Sequence, residues 1–247
     1  ITFLHPDDPP DSFPDPAGAA TEPDGLLAVG GDLTPARLLA AYGRGIFPWY
    51  EAGQPILWWS PDPRAVLLPE KLHISRSLRR TLRSDRYRVS IDLAFGSVID
   101  ACADARASTG TWITPEMRSA YFRLHELGYA HAVETWHGAK LVGGLYGIAL
   151  GGIFFGESMF SHANDASKVA LVRLVRLVET RGMKLIDCQV GTRHLASLGS
   201  QFMPRGEFLE HVQTLAAGAD QMGNWLETPR ATSALVTVHT VPAPLHG

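Results

Sequence analysis

Ala130-His-Ala-Val-Glu-Thr-Trp136, His137-Gly138, Lys140 to Ala149, Gly151 to Phe160, Ser167 to Thr180 and Lys184 to Val190 form the best-patterned part of the chain. The first two apolar segments flank a His-Gly turn and predict a β-hairpin. Gly151 to Phe160 predicts a further strand. Ser167 to Thr180 has apolar residues at helical spacing, with Gly182 as its stop, and predicts a long amphipathic helix. Lys184 to Val190 is a short apolar run and predicts another strand. The order is therefore hairpin, strand, helix, strand.

That order is the core order of acetyltransferase-like α/β folds, and we expect an α/β (α+β) domain of this type with a mixed sheet. Upstream, Ala65-Val-Leu-Leu68 and Tyr87 to Ile91 read as strands. His73 to Arg83 and Ala94 to Ala107 read as helices. Thr114 caps another helix with Pro115 first and Gly128 as its end. Thr34-Pro35 is a helix start of the same kind, with Leu38, Leu39 and Tyr42 on one face and Gly43 to Gly45 as its end. Before it, Gly25 to Gly31 reads as a short strand or turn. Residues 1–24 carry six prolines and predict a loop-rich lead-in. Phe47-Pro-Trp-Tyr50 and Ile56 to Pro63 predict a rigid irregular platform. We place a boundary near residue 62, giving a small N-terminal domain (1–62) and a catalytic domain (63–247). The last 20 residues carry no clear pattern.

The chain has 247 residues, 45% of them hydrophobic, and a net charge of −3. A sizeable core is expected, and a whole-surface polycation is excluded. The apolar runs are shorter than the ~20 residues of a spanning helix, and the first residues do not read as a secretory signal. We expect a soluble, cytosolic monomer with no membrane contact. Cys102 and Cys188 are expected to be reduced, and Cys188, in an apolar strand, is expected to pack. With no His-x-x-x-His and no Cys-x-x-Cys, neither a metal nor another cofactor is expected.

Against this background the polar residues of the apolar strands stand out. Glu157 lies within Gly152-Ile-Phe-Phe-Gly-Glu-Ser-Met-Phe160, and Asp187 and Gln189 lie within Lys184-Leu-Ile-Asp-Cys-Gln-Val190. A carboxylate in such a setting is costly unless paired, so such groups concentrate at functional sites. Strand alternation puts Phe155 and Met159 on the face of Glu157, and Asp187 on the face of Gln189. An adjacent carboxylate and amide can grip an ammonium group. Leu145, Phe154 and Met159 are candidates to line a pocket for an apolar side chain.

Two further features point to nucleic acid. Arg76, Arg79, Arg80, Arg83, Arg86 and Arg88 fall within 13 residues, with Asp85 the sole acid among them. Helical spacing places Arg76, Arg79, Arg80 and Arg83 on one face, where each phosphate contact would add salt-sensitive affinity. Trp49 and Trp112 sit at irregular element ends and are candidates for base stacking. Trp58 and Trp59 read as sealing a core. The stretch before the long helix, Ser161-His-Ala-Asn-Asp-Ala-Ser167, has no glycine-rich turn for a pyrophosphate. This opposes a CoA-dependent N-acyltransferase. A non-catalytic RNA-binding module is the other alternative, and it would leave Glu157, Asp187 and Gln189 without a purpose.

Leu26-Leu-Ala-Val-Gly-Gly-Asp-Leu33, Gly45-Ile-Phe-Pro-Trp49, Leu57-Trp-Trp-Ser-Pro-Asp-Pro-Arg-Ala65, His73-Ile-Ser-Arg76, Gly110-Thr-Trp-Ile-Thr114, Gly156-Glu-Ser-Met-Phe160 and Leu185-Ile-Asp-Cys-Gln189 together resemble the leucyl/phenylalanyl-tRNA–protein transferases, in order and with similar spacing. The resemblance runs from about residue 25 to about 210. It implies a small N-terminal domain and a larger acetyltransferase-like domain. It implies transfer of Leu or Phe from aminoacyl-tRNA to the N-terminal Arg or Lys of a protein, which marks that protein for degradation through the N-degron pathway. The resemblance assigns Trp49 and Trp112 to the terminal adenosine and Arg76, Arg80 and Arg83 to the acceptor stem. It assigns Phe154 and Met159 to the amino-acid pocket, and Glu157, Asp187 and Gln189 to the acceptor and to catalysis. Leu145 and Leu174 replace the Met and Phe of some relatives, which leaves the preference among Leu, Phe and Met open.

Overall fold

A computed structural model describes residues 1–105, 112–218 and 221–236. Two sheets organise them. The smaller holds β1 (Thr2–Leu4), β2 (Leu26–Gly30), β3 (Phe47–Pro48) and β4 (Leu57–Trp59) in the order β1-β2-β4-β3. Between β2 and β3 runs α1 (Pro35–Tyr42), whose first turn is closed by Thr34 Oγ1 accepting from the Arg37 N–H. The larger sheet holds β5 (Arg64–Leu67), β6 (Arg88–Ile91), β7 (Ala130–His137), β8 (Lys140–Leu150), β9 (Ile153–Ser161), β10 (Leu185–Gln189), β11 (Gln201–Met203) and β12 (Glu227–Ala231). Its order is β11-β5-β10-β9-β8-β7-β6-β12. The helices around it are α2 (Arg76–Arg83), α3 (Phe95–Asp104), α4 (Pro115–Glu126), α5 (Ala166–Thr180), α6 (Arg193–Ala196) and α7 (Arg205–Leu215).

The sheet is mixed because β9 and β10 pair in parallel and are joined through α5, whereas β7, β8 and β9 run antiparallel. Alternation along the strands separates two cores. Tyr146, Ile148 and Phe155 pack with α1, α3 and α4. Leu145, Ala149 and Phe154 pack with α2 and α5. Helix α5 is buried along most of its length, from Val169 to Val178, because it packs across one face of the sheet beside α2. The predicted hairpin, strand, helix and strand all form, with ends within a residue or two of those expected.

Several expectations are corrected. The segment read as an irregular platform forms β3 and β4, and Trp58 is fully buried with its indole N–H donating to the Gly30 carbonyl at 2.8 Å. The proline-rich lead-in is tied down by arginines of the next helix region. Arg37 Nη2 donates to the Asp8 carbonyl and Arg44 Nη1 to the Phe13 carbonyl, which fixes loop backbone that has no ladder partner. Helix α2 starts at Arg76 rather than His73, since Ser75 accepts the Leu78 N–H as N-cap. Helix α3 ends at Asp104 with Ala105 as its C-cap, and residues 106–107 of the expected helix lie outside the described residues. Strand β11 and helix α7 escaped prediction. The tail read as patternless begins within β12 (Glu227–Ala231), which pairs with β6, and its residues 237–247 lie outside the described residues.

A β-bulge lies at each of the two alternation arguments, and the first argument fails in part. In β8–β9 the register passes from Tyr146↔Ser158 to Gly147↔Gly156, so Glu157 is the extra residue. Phe155 therefore packs beside Tyr42 in one core while Met159 faces the other. The bulge needs glycine opposite it, because a Cβ at Gly147 would lie 2.2 Å from the Phe155 carbonyl oxygen. In β5–β10 the register shifts between Asp187 and Gln189, and Gln189 adopts a left-handed φ of 59°. Ile186 and Cys188 nevertheless pack in one core while Asp187 and Gln189 bond toward the other, so the shared face expected of Asp187 and Gln189 is kept.

Candidate active site

The bulge turns Glu157 into a cluster of hydroxyls and an amide. Tyr42 of α1 donates to Glu157 Oε1 at 2.7 Å, and Tyr121 of α4 donates to Oε2 at 2.7 Å. The two tyrosine oxygens are themselves 2.6 Å apart. Gln189 Nε2 donates to Oε1 at 2.7 Å. Glu157 thus holds together the N-terminal segment, α4 and β10. Burial pushes its carboxyl up to about 7, against the lowering effect of Tyr121, Tyr42 and Gln189. Burial, reinforced by the neighbouring Glu157 charge, holds both tyrosines well above their usual range, so they act as donors.

Asp187 has a different setting. It is fully buried, and Arg64 grips it with two bonds, Nε to Oδ1 at 2.8 Å and Nη2 to Oδ2 at 2.7 Å. Arg64 is fully buried too, with its guanidinium over the rings of Phe47 and Phe208. Asp187 Oδ1 also accepts the Gln189 backbone N–H at 2.9 Å. This bond pins the left-handed turn that points the Gln189 amide at Glu157. Asp187 is thereby a charge-neutralised anchor of Gln189.

A cavity of about 540 Å³ opens against this network. Leu145 and Met159, directly paired across β8 and β9, line it with Leu171, Leu174, Ile186 and Leu195. Glu157 and Gln189 contribute polar groups to the same wall, and Trp49 and Trp112 stand at the lining as well. Trp49 is 44% exposed, whereas Trp112 is buried. Cys188 also faces the cavity, but burial pushes its thiol up and keeps it neutral, so it is no thiolate nucleophile. Phe154 is a correction. It is fully buried, packs toward Trp225 and is not among the lining residues, because its end of β9 lies within the α5 core.

Arg76, Arg80 and Arg83 are exposed on α2, with Arg79 beside them. None of the four makes an ion pair among the described residues. Helix α2 is tied to the start of α5 by Thr81 Oγ1 donating to Asp165 Oδ2 at 3.0 Å. Ser167, near that start of α5, lines the cavity together with Leu171 and Leu174 further along the helix. No group of three or more metal-ligating side chains occurs among the described residues. No helix there is long and apolar enough to cross a membrane.

Sequence reasoning missed Arg64, Tyr42 and Tyr121. Arg64 carried a usable signal, a charge directly before the apolar run Ala65–Leu68. The tyrosines carried none beyond their place on helix faces, since their hydroxyls meet Glu157 only through tertiary packing.

A buried glutamate, an anchored amide and an apolar cavity thus meet at one place in a mixed α/β fold. Comparison with known proteins gives the family. The profile described as "Leucyl/phenylalanyl-tRNA protein transferase" matches residues 66–213, and that of the corresponding N-terminal domain matches residues 31–62. The leucyl/phenylalanyl-tRNA–protein transferase of Aromatoleum aromaticum is 60% identical over 214 residues, covering 86% of this chain and 90% of that protein. The Azotobacter vinelandii enzyme of the same name is 59% identical over 202 residues, covering 81% and 89%. A solved structure of L-PGS from Bacillus licheniformis is similar over 68% of this chain and 56% of its own, with a TM-score of 0.40 and 8% identity, too distant to carry an argument. The chain belongs to the leucyl/phenylalanyl-tRNA–protein transferase family and is a transferase.

Proposed function

We propose that this protein moves Leu or Phe from aminoacyl-tRNA to the α-amino group of a polypeptide that begins with Arg or Lys, so marking it for degradation. The observation that carries the reading is the apolar cavity whose wall holds Glu157 and Gln189 hydrogen-bonded to each other. The Leu or Phe side chain fills the cavity between Leu145, Met159, Leu171 and Leu174. Burying such a side chain contributes roughly 1.5–3 kcal/mol. Trp49 and Trp112 stack on the terminal adenine, and Arg76, Arg80 and Arg83 meet acceptor-stem phosphates.

The ester is already activated, so the reaction needs no ATP. The acceptor amine attacks the ester carbonyl, a C–N bond forms, the C–O bond to the ribose breaks, and the departing oxygen takes the proton that the amine loses. With a free pKa of about 8, the amine is partly neutral at pH 7. Ionised Glu157 attracts the cationic acceptor. Because Gln189 Nε2 is committed to Glu157, its carbonyl oxygen is left to orient the amine. Asp187 holds Gln189 in place. Its bonds to Arg64 and Gln189 disfavour any part for it in accepting the proton. Positioning of this kind supplies roughly 7–11 kcal/mol of barrier lowering.

The crossover from β9 through α5 to β10 supports an acetyltransferase-like larger domain, with the N-terminal domain ending near residue 62. Asp165 at the start of α5 places a carboxylate where a CoA pyrophosphate would need a helix N-terminus, which opposes CoA as donor. We read the protein as a cytoplasmic monomer. The test is transfer of labelled Leu from charged tRNA to a peptide beginning with Arg. The expected result is transfer of Leu and Phe, with Ile and Val slower by roughly 10–200-fold. No transfer to the peptide, or equal transfer of Ile and Leu, refutes the reading.

A further inference from the structure

Helix α2 cannot hold itself in place. It has eight residues, a length at which an isolated helix is marginal in water. Arg76, Arg79, Arg80 and Arg83 repel one another at spacings of three and four. Leu78 and Leu82 reach the core, and Thr81 is bonded to Asp165. The far end, where the last carbonyls lack helical partners, is held by residues much later in the chain. Thr232 is fully buried, and its hydroxyl donates to the Leu82 carbonyl at 2.8 Å. Asp85 lies directly after the C-cap Ser84, with a left-handed φ of 50°. Ser233 donates to both of its carboxylate oxygens, from the backbone N–H to Oδ1 at 2.7 Å and from the hydroxyl to Oδ2 at 2.9 Å. Asp85 is the sole acid between Arg76 and Arg88, so the acid nearest those arginines in sequence is engaged by Ser233.

Thr232 and Ser233 belong to a strap, residues 225–236, whose other end is anchored separately. Trp225 is buried, stacked on His131 with ring centroids 3.7 Å apart and covered by the Arg181 guanidinium at 4.1 Å. From there β12 pairs with β6, the strand that follows the arginine run, and Arg88 Nη2 donates to the Pro229 carbonyl at 2.9 Å. Leu235 is buried beyond Ser233. No residue of the strap lines the cavity. The strap therefore acts on α2 and β6 without touching the reacting groups. We propose that Thr232 and Ser233 are positioning residues for the tRNA, fixing the C-terminal end of α2 so that its arginines meet the acceptor-stem phosphates. The proposal rests on the assignment of α2 to the acceptor stem made above, and extends it to residues that touch no substrate.

Two donors separate this role from one in folding alone, Leu-tRNA and leucyl-adenosine, which carries the same ester without the stem phosphates. Each variant is assayed with both donors and one peptide beginning with Arg. The double variant Thr232→Val, Ser233→Ala should raise KM for Leu-tRNA roughly tenfold at unchanged kcat, about the net worth of one or two hydrogen bonds. It should also lower the salt slope of tRNA binding, as expected when phosphate contacts are lost. Transfer from leucyl-adenosine should stay at the parental rate. Thr232→Ser, which keeps the hydroxyl, should keep the parental KM. Equal losses with both donors, in the double variant and in Ser233→Ala alone, overturn the proposal by showing a general defect of the fold. A selective effect of Ser233→Ala on Leu-tRNA upholds it even if the double variant folds poorly. Arg80→Ala reports on the parent reading. If it raises KM for Leu-tRNA and the strap variants do not, the strap alone is overturned. If neither changes the use of Leu-tRNA, the assignment of α2 fails and the strap with it.

Discussion

Replacing Asp187 by Ala removes one half of a fully buried ion pair and separates what this pair does for folding from what it does for transfer. Arg64 has no exposure, and its Nε and Nη2 both bond to Asp187. Stranding a buried charge costs about 3–5 kcal/mol. The orphaned Gln189 N–H, worth about 1–3 kcal/mol, falls within the same loss. That is a large fraction of the 5–15 kcal/mol typical of a whole domain. The pair of substitutions Arg64→Leu and Asp187→Leu behaves differently. It leaves no buried charge, and exchange of a buried pair for apolar residues is commonly neutral or stabilising by 1–4 kcal/mol. Against that stands the same orphaned N–H. The double variant should therefore lie within about 2 kcal/mol of the parent in urea unfolding followed by tryptophan fluorescence. Single-turnover transfer from Leu-tRNA should nevertheless stay depressed by about 100-fold. Gln189 would have lost the bond that holds its left-handed turn, and misplacement of about 1 Å can cost that much. Double-mutant coupling near zero, or a stable double variant with parental transfer rates, would refute the anchor role.

Other outcomes follow from the same geometry. Glu157 ionises near pH 7, so kcat/KM for an Arg peptide should rise through pH 7, and Glu157→Gln should keep only the rise near pH 8 that belongs to the amine. A pH profile of the variant that retains the lower limb would contradict this. Glu134 is buried and accepts from the Ser90 hydroxyl and the Ala94 N–H, yet burial pushes its carboxyl up to about 7. The folded protein then binds a proton that the unfolded chain, with its carboxyl near 4.5, has lost. The associated stability is fully present below about pH 4.5 and is lost as pH rises through 7, by about 3 kcal/mol. Urea midpoints at pH 5 and pH 8 should differ less in Glu134→Gln than in the parent. Arg80→Ala should weaken tRNA use whatever the tRNA body sequence and lower the salt slope of binding by about 1, and unchanged salt dependence would remove Arg80 from the phosphate contacts.

Much of this protein was legible in its sequence, because the signals concerned are local. Helix caps at Thr34 and Thr114 are set by a side-chain oxygen and an N–H three residues away. The hairpin at His137-Gly138 and the stripe of α5 follow from periodicity. Glu157, Asp187 and Gln189 stood out because polar groups in apolar strands are rare without a partner. Trp49, Trp112, Leu145 and Met159 were named from the sequence and do meet at one cavity, while Phe154 does not reach it.

What the sequence alone could not settle was direction and partnership. A β-bulge is invisible to period-two alternation, since it depends on which strand lies opposite and on whether a glycine such as Gly147 allows the close approach. One such bulge, at Glu157, therefore decided that Phe155 and Met159 face different cores. The partners of the buried carboxylates lie far away along the chain, Arg64 for Asp187 and Tyr42 for Glu157. Burial demanded that such partners exist, and only tertiary packing chose them.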